Sequence, residues 1–262
     1  MAGFPIWYEL MTPDPVAVAP FYKATLGWHI PTSGDQLPHG AEYRMISHAD
    51  GSFQGGVLTL TPDMAAGGAR PGWLPYFDVA DVEGWCEAAK ARGASVWMVQ
   101  ETPGVGTMAM VSDPEGAPFY VMKPQPPEGQ PDAQSTVFQP GTVGHCAWNE
   151  RNHVTGEAML EFYTSLFDWA EDSSVPMPEG HFYRIFSLDN QRIGAIGSMG
   201  IADMPPLWLP YFRVADLAAA HRAVGGTGGS VIMEPHPVPG GDSIFVAQDP
   251  GGAFVAFVTK DA

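Results

Sequence analysis

Nine residues, Trp73-Leu74-Pro75-Tyr76-Phe77-Asp78-Val79-Ala80-Asp81, return as Trp208-Leu209-Pro210-Tyr211-Phe212-Arg213-Val214-Ala215-Asp216 with a single change, Asp78 to Arg213. Agreement at roughly one in twenty per position does not produce such a match by chance, and so long a period is that of duplicated domains, not of a short-repeat solenoid. The chain is a tandem duplication. Its 262 residues, 45% of them hydrophobic, suffice for two ordinary cores.

The rest of the chain follows the same plan. Trp7-Tyr8-Glu9 is matched by Trp148-Asn149-Glu150, and Phe21-Tyr22 by Phe162-Tyr163. The aromatic run Ile6 to Met11 reads as a strand, and Asp14-Pro15 as a helix start, the carboxylate accepting from first-turn N–H groups and the proline filling the first position. Val18, Phe21, Tyr22 and Leu26 keep helical spacing up to Gly27, while Pro20 should bend or shorten that helix. In the second half Thr155 takes the capping place of Asp14. Tyr43 to Ser47 and Gly55 to Leu60 read as strands, as do Tyr183 to Ser187 and Gly194 to Gly197.

Each nonapeptide reads as a strand ending in a capping Asp81 or Asp216, with a helix next. In the first half that helix puts Val82, Trp85, Cys86 and Ala89 on one face and closes at Gly93, and three strands follow around the turn Asp113-Pro114-Glu115-Gly116. The copy turns at Asp249-Pro250-Gly251-Gly252. The expectation is an α+β fold of four βαβββ modules, whose strands form curved sheets around a cup and whose helices lie outside. Residues 1–123 and 141–262 are the expected domains, and the proline-rich stretch 124–140 the linker. Gly225-Gly226-Thr227-Gly228-Gly229 is no phosphate loop, because it follows a helix and lacks the Gly-Lys-Ser/Thr ending.

A formal charge of -17 disfavours nucleic acid and anionic membranes as partners and favours cationic ligands. Met1-Ala2-Gly3-Phe4-Pro5 lacks a signal-peptide pattern, and no apolar run reaches the ~18 residues of a membrane span. Cys86 and Cys146 occupy non-matching positions and suggest no disulfide framework. The expectation is a cytoplasmic monomer or homodimer.

These motifs, Asp14 to Phe21-Tyr22, Leu26-Gly27-Trp28, Phe77-Asp78-Val79-Ala80-Asp81 and Asp113-Pro114-Glu115-Gly116 with their copies, resemble the vicinal oxygen chelate superfamily of glyoxalases, bleomycin-resistance proteins and extradiol dioxygenases. The nearest likeness is to double-length, glyoxalase-like members. The resemblance implies curved mixed sheets and, in metal-dependent members, His or Glu ligands projecting into the cup. Those positions fall here on Trp7 and Trp148, Leu74 and Leu209, Tyr120 and Ala256, and the strand around Leu58 offers no Glu. None suits an octahedral divalent ion. His29, His39, His48, His145, His153, His181, His221 and His236 show no metal-site spacing. No metal and no other cofactor is expected.

Alternation places Trp7 with Glu9, and Trp148 with Glu150, on one strand face. Two readings stand: the indoles fill the cup and each Glu pairs with an Arg such as Arg44 or Arg184, or indole and carboxylate bind a ligand. Tyr120 aligns with Ala256, so it contributes to one cup only. The expected partner is a small organic molecule, aromatic or cationic, bound by Trp7, Glu9, Tyr120, Trp148 and Glu150. The rival is an enzyme of the same superfamily (lyase, isomerase or dioxygenase type), metal-dependent with unusual ligands or metal-free with Glu9 or Glu150 as base.

Overall fold

The computed structural model describes residues 2–126, 128–130, 133–201 and 204–260. Pro127 and Pro131 of the expected linker lie outside the described residues. Four βαβββ modules follow one another. The first is β1 (Pro5–Thr12), α1 (Pro15–Leu26), β2 (Asp35–Gln36), β3 (Glu42–Ser47) and β4 (Phe53–Thr59), and a short α2 (Pro62–Ala66) leads out of it. The second is β5 (Gly72–Asp78), α3 (Val82–Lys90), β6 (Ser95–Thr102), β7 (Gly106–Ser112) and β8 (Pro118–Pro124). The third is β9 (Cys146–Arg151), α4 (Ala158–Thr164), β10 (Ala170–Ser174), β11 (Tyr183–Leu188) and β12 (Gln191–Gly197). The fourth is β13 (Trp208–Arg213), α5 (Leu217–Gly226), β14 (Ser230–Val238), β15 (Asp242–Gln248) and β16 (Phe254–Lys260).

Every module contributes four strands to a mixed, curved sheet of eight, one sheet in each half. The first strand of a module runs parallel to its last, as β1 with β4 and β5 with β8, and the remaining pairs within it are antiparallel. The helix crosses one face, and alternation turns every second side chain away from it.

Local chemistry sets the helix boundaries. Asp14 accepts from the Val16 and Ala17 N–H groups, and Asp81 and Asp216 accept from Gly84 and Ala219 in the same way. Gly27 ends α1 at φ 73, a left-handed cap that glycine adopts without strain. Pro20 does not shorten α1, which runs on to Leu26 with the proline on its exposed side. Thr155 does not cap α4. Its N–H and hydroxyl both donate to Glu115 (2.9 and 2.5 Å), and α4 begins at Ala158 without a side-chain cap.

The chain divides into two compact units, each taking one module from the middle or ends of each half. Unit 1 is Met1–Trp7, Pro75–Ser135 and Trp148–Trp208; unit 2 is Tyr8–Leu74, Thr136–Ala147 and Leu209–Ala262. The repeated motifs explain this exchange. In unit 2 Trp73 Nε1 donates to Tyr22 Oη (2.9 Å), and Tyr22 Oη donates to Asp249 of the other half (2.8 Å). In unit 1 Trp208 donates to Tyr163 (3.1 Å), which donates to Asp113 (2.9 Å). Each Asp also receives two backbone N–H bonds of its own turn, so these buried polar groups are paired rather than stranded. Aromatic side chains pack around both chains: Trp28, Trp73 and Phe212 in unit 2, and Phe77, Trp169 and Trp208 in unit 1.

The segment ahead of each half's first strand is bound alike. Gly3 donates to the Asp78 carbonyl and Gly144 to the Arg213 carbonyl, each at 2.8 Å, while Trp169 and Trp28 donate to the carbonyls of Gly3 and Gly144. The one altered residue of the nonapeptide serves this contact in two chemistries. The Asp78 carboxylate accepts from the Gly3 and Phe4 N–H groups, and the Arg213 guanidinium donates to the Pro140 carbonyl. Among the described residues no helix is long and apolar enough to cross a membrane.

Candidate functional site

Arg151 of β9 reaches Asp113 beside α4's Tyr163, so the alternate residues Trp148 and Glu150 lie on the sheet face turned away from that helix. There Trp148 Nε1 donates to Tyr183 Oη (2.9 Å), and Tyr183 Oη donates to Glu150 Oε2 (2.9 Å). Burial and the adjacent Glu150 charge push the Tyr183 phenol well above its usual range, so it remains a donor throughout the neutral range. Trp148, Glu150 and Tyr183 are each partly exposed.

β1 carries the related Trp-x-Glu pair. Glu9, 3% exposed, pairs in register with Gly56, and the Tyr43 ring covers that glycine so closely that a Cβ there would lie 2.1 Å from Tyr43 Oη. Trp7, two residues before Glu9, is partly exposed. The sequence expectation names the Trp and Glu of each set but not Tyr43 and Tyr183. The repeated Tyr-Arg pair, Tyr43-Arg44 in β3 and Tyr183-Arg184 in β11, is their signal. Arg44 and Arg184, the expected partners of these carboxylates, bind elsewhere: Arg44 pairs with Glu42 (2.8 Å), and Arg184 with Glu157 and Glu171 (3.0 and 3.2 Å).

Tyr120 lies in register with Tyr76 of β5, and the rings stack at 4.1 Å and 12°. In the fourth module the same register sets Tyr211 beside Ala256, a methyl where the second module has the Tyr120 ring. The second and fourth modules thus differ where sequence alignment paired Tyr120 with Ala256.

Unit 1 holds a cavity of about 420 Å³ on the helical side, lined by Arg92, Glu115, Thr155, Met159, Glu161 and Phe162 among others. It contains none of the sequence candidates. Its lining includes Glu115, a position that differs between the repeats. At Gly251 an added Cβ would meet Thr12 Oγ1 at 2.2 Å, whereas Glu115 at the matching turn position carries a full side chain to Arg151 and Thr155 and draws Thr155 out of its capping role. Among the described residues no group of three or more His, Cys, Asp or Glu is placed to hold a metal ion. The long-range surprise is His48 and His145, whose rings stack at 4.3 Å.

A family model described as the glyoxalase/bleomycin resistance protein/dioxygenase superfamily matches residues 6–121 and again 143–257. The chain belongs to that superfamily. Among curated relatives it is 28% identical to the anthracycline biosynthesis protein DnrV of Streptomyces peucetius, over 96% of this chain and 92% of that one. It is 35% identical to the putative glyoxylase CFP32 of Mycobacterium bovis, over 47% of this chain and 45% of that protein. Solved structures share the fold at lower identity. The 2,3-dioxygenase LapB from Pseudomonas sp. KL28 matches at a TM-score of 0.62 and 14% identity, over 99% of this chain and 93% of that one. The Mn(II)-bound glyoxalase from Novosphingobium aromaticivorans matches at 0.60 and 13%, over 100% and 84%.

The residues present do not fit the divalent ion of metal-dependent superfamily members. Trp7, Trp148, Leu74, Leu209 and Ala256 offer such an ion no oxygen or imidazole donor, and Tyr120 offers one phenol engaged in a stack. A hard cation stripped of water there would gain no compensating shell.

Proposed function

We propose that this superfamily member binds a small organic molecule without a metal ion or other cofactor, taking a flat aromatic body with a cationic or hydrogen-bond-donating group on the sheet faces turned away from the helices. The observation that carries this reading is the Trp148–Tyr183–Glu150 hydrogen-bond chain, which orients a carboxylate beside an indole. An indole face attracts flat rings and cations, and a carboxylate held by a phenol donor completes a site for an amine. Trp7 and Glu9 repeat the pair on β1, and the Tyr76–Tyr120 stack adds an aromatic wall to the second module. Two relatives matching nearly the full length, DnrV and DauV, are named for anthracycline biosynthesis, which supports a polycyclic aromatic ligand. The net charge of -17 suits a cationic substituent and no nucleic-acid or membrane partner, in a cytoplasmic monomer or homodimer.

A second reading makes Glu150 or Glu9 the base of a metal-free reaction, favoured by the Tyr183 donor that fixes the Glu150 carboxylate. Tryptophan fluorescence during titration with an anthracycline separates the two from the absence of any site. Saturable quenching that weakens in Trp148→Ala and Glu150→Gln, with the compound recovered unchanged, supports binding. Turnover lost only in a Glu→Gln variant supports catalysis. No saturable signal with flat cationic aromatics rejects both.

A further inference from the structure

His48 follows β3 and His145 precedes β9, and their rings stack at 4.3 Å with an interplanar angle of 14°. Gln54 of β4, wholly buried, bridges His48 to the Val137 carbonyl. His48 Nε2 contacts Gln54 Oε1 (3.3 Å), and Gln54 Nε2 donates to the Val137 carbonyl (2.9 Å). His145 Nδ1 lies 2.8 Å from the Thr136 carbonyl and must donate its proton there. The cluster therefore ties the segment Thr136–Ala147, which joins the two halves of the chain, to β3 and β4 within unit 2.

At the three equivalent positions unit 1 carries apolar side chains. Matching Gly3 with Gly144, Ser187 with Ser47 and Gly194 with Gly55 places Phe4, Leu188 and Ile193 where unit 2 has His145, His48 and Gln54. Apolar packing holds at any pH; two stacked imidazoles do not. We propose that His48 and His145 form an acid-released latch: neutral rings hold Thr136–Ala147 in place, and protonation of both sets like charges face to face and frees the segment.

The charged neighbours are few. Burial, and then His145, hold His48 below the ordinary imidazole value, against the Gln54 hydrogen bond and Asp50 in the turn after His48, which favour protonation of that ring. From β13, Arg213 turns its guanidinium to the Pro140 carbonyl and to Asp242 of β15 (3.3 Å), and Trp28 meets His48 edge-on at 6.3 Å. The sign follows. A base whose folded pKa is depressed gives full stability above its unfolded value near 6.5 and loses it as pH falls through the folded value.

Hydrogen exchange of residues 136–147 in the full chain, corrected for intrinsic rates, tests the latch. Between about pH 7.5 and about pH 5, protection should fall roughly tenfold in the wild type, corresponding to one unit of differential proton affinity, and stay level in His48→Leu, which installs the residue of unit 1. Unchanged protection in the wild type, or the same fall in His48→Leu, overturns the proposal. Should the variant fail to fold, an NMR titration of the wild-type imidazoles decides: coupled curves with His48 depressed support it, and two independent ordinary curves reject it.

Discussion

Arg151 Nε meets Asp113 Oδ2 at 2.6 Å with neither side chain exposed, and Glu115 takes a second guanidinium nitrogen at 3.2 Å. Unit 2 has the same tyrosine and aspartate, Tyr22 and Asp249, but Leu10 stands where Arg151 does and Gly251 where Glu115 does. Unit 1 thus buries a cation with two carboxylates where unit 2 buries a single carboxyl. Arg151→Met removes the cation that pairs with Asp113 and Glu115, and Asp113→Asn leaves Arg151 with Glu115 as its ionic partner. Either should cost about 3–5 kcal/mol, since breaking a buried pair on one side leaves an uncompensated charge. Urea denaturation at neutral pH measures it, and a loss below about 1 kcal/mol would mean water reaches the pair.

Asp249 shifts stability with pH in the opposite sense to His48. Burial raises its carboxyl above the ordinary value of 3.8, against the pull of the Tyr22 hydroxyl and backbone donors. A carboxyl raised in the fold contributes stability below its unfolded pKa and loses it as pH rises through the folded one. Asp249→Asn should therefore remove a fall in stability that begins near pH 3.8 and runs upward through the raised value. A stability-versus-pH curve unchanged by the substitution contradicts this.

The boundaries with local chemistry were legible in sequence: Asp14, Asp81 and Asp216 cap helices, and Gly27 ends one, because those contacts span only a few residues. The four-module plan was legible through repetition. Thr155 was misread because its fate is set by Glu115, 40 residues away, on a turn whose copy holds Gly251. The exchange of modules between units rests on Tyr22–Asp249 and Tyr163–Asp113, separations of 227 and 50 residues that leave no periodic trace. For the candidate site, alternation identified the Trp and Glu positions, while the roles of Tyr43 and Tyr183 depend on cross-strand register, which single-strand patterns do not specify.

Tyr120 and Ala256 predict an asymmetric response to exchange. Tyr120→Ala removes a stacked, buried ring and should cost about 3–5 kcal/mol, as large-to-small aromatic changes do. Ala256→Tyr forces a ring into a fully buried alanine site and should cost about 1–3 kcal/mol or more through overpacking. Equal and negligible losses in thermal unfolding would mean both positions face open space.

Tyr183→Phe tests the polar chain without emptying volume. It withdraws one donor from Glu150 and one acceptor from Trp148. A hydrogen bond to a charged group contributes about 1.5–3 kcal/mol, so affinity for a cationic aromatic ligand should change by about tenfold or more while the fold persists. Calorimetric titration of the variant against the parent reads this, and identical affinities would remove Tyr183 from the site.

The most direct measurement is a crystal structure of the protein soaked with an anthracycline. The account predicts the ring system on a sheet face turned away from its helix, with an indole of Trp148 or Trp7 against it and its amine at Glu150 or Glu9. Density instead in the 420 Å³ cavity beside Arg92, Glu115 and Phe162, or bound through a divalent metal ion, would contradict it.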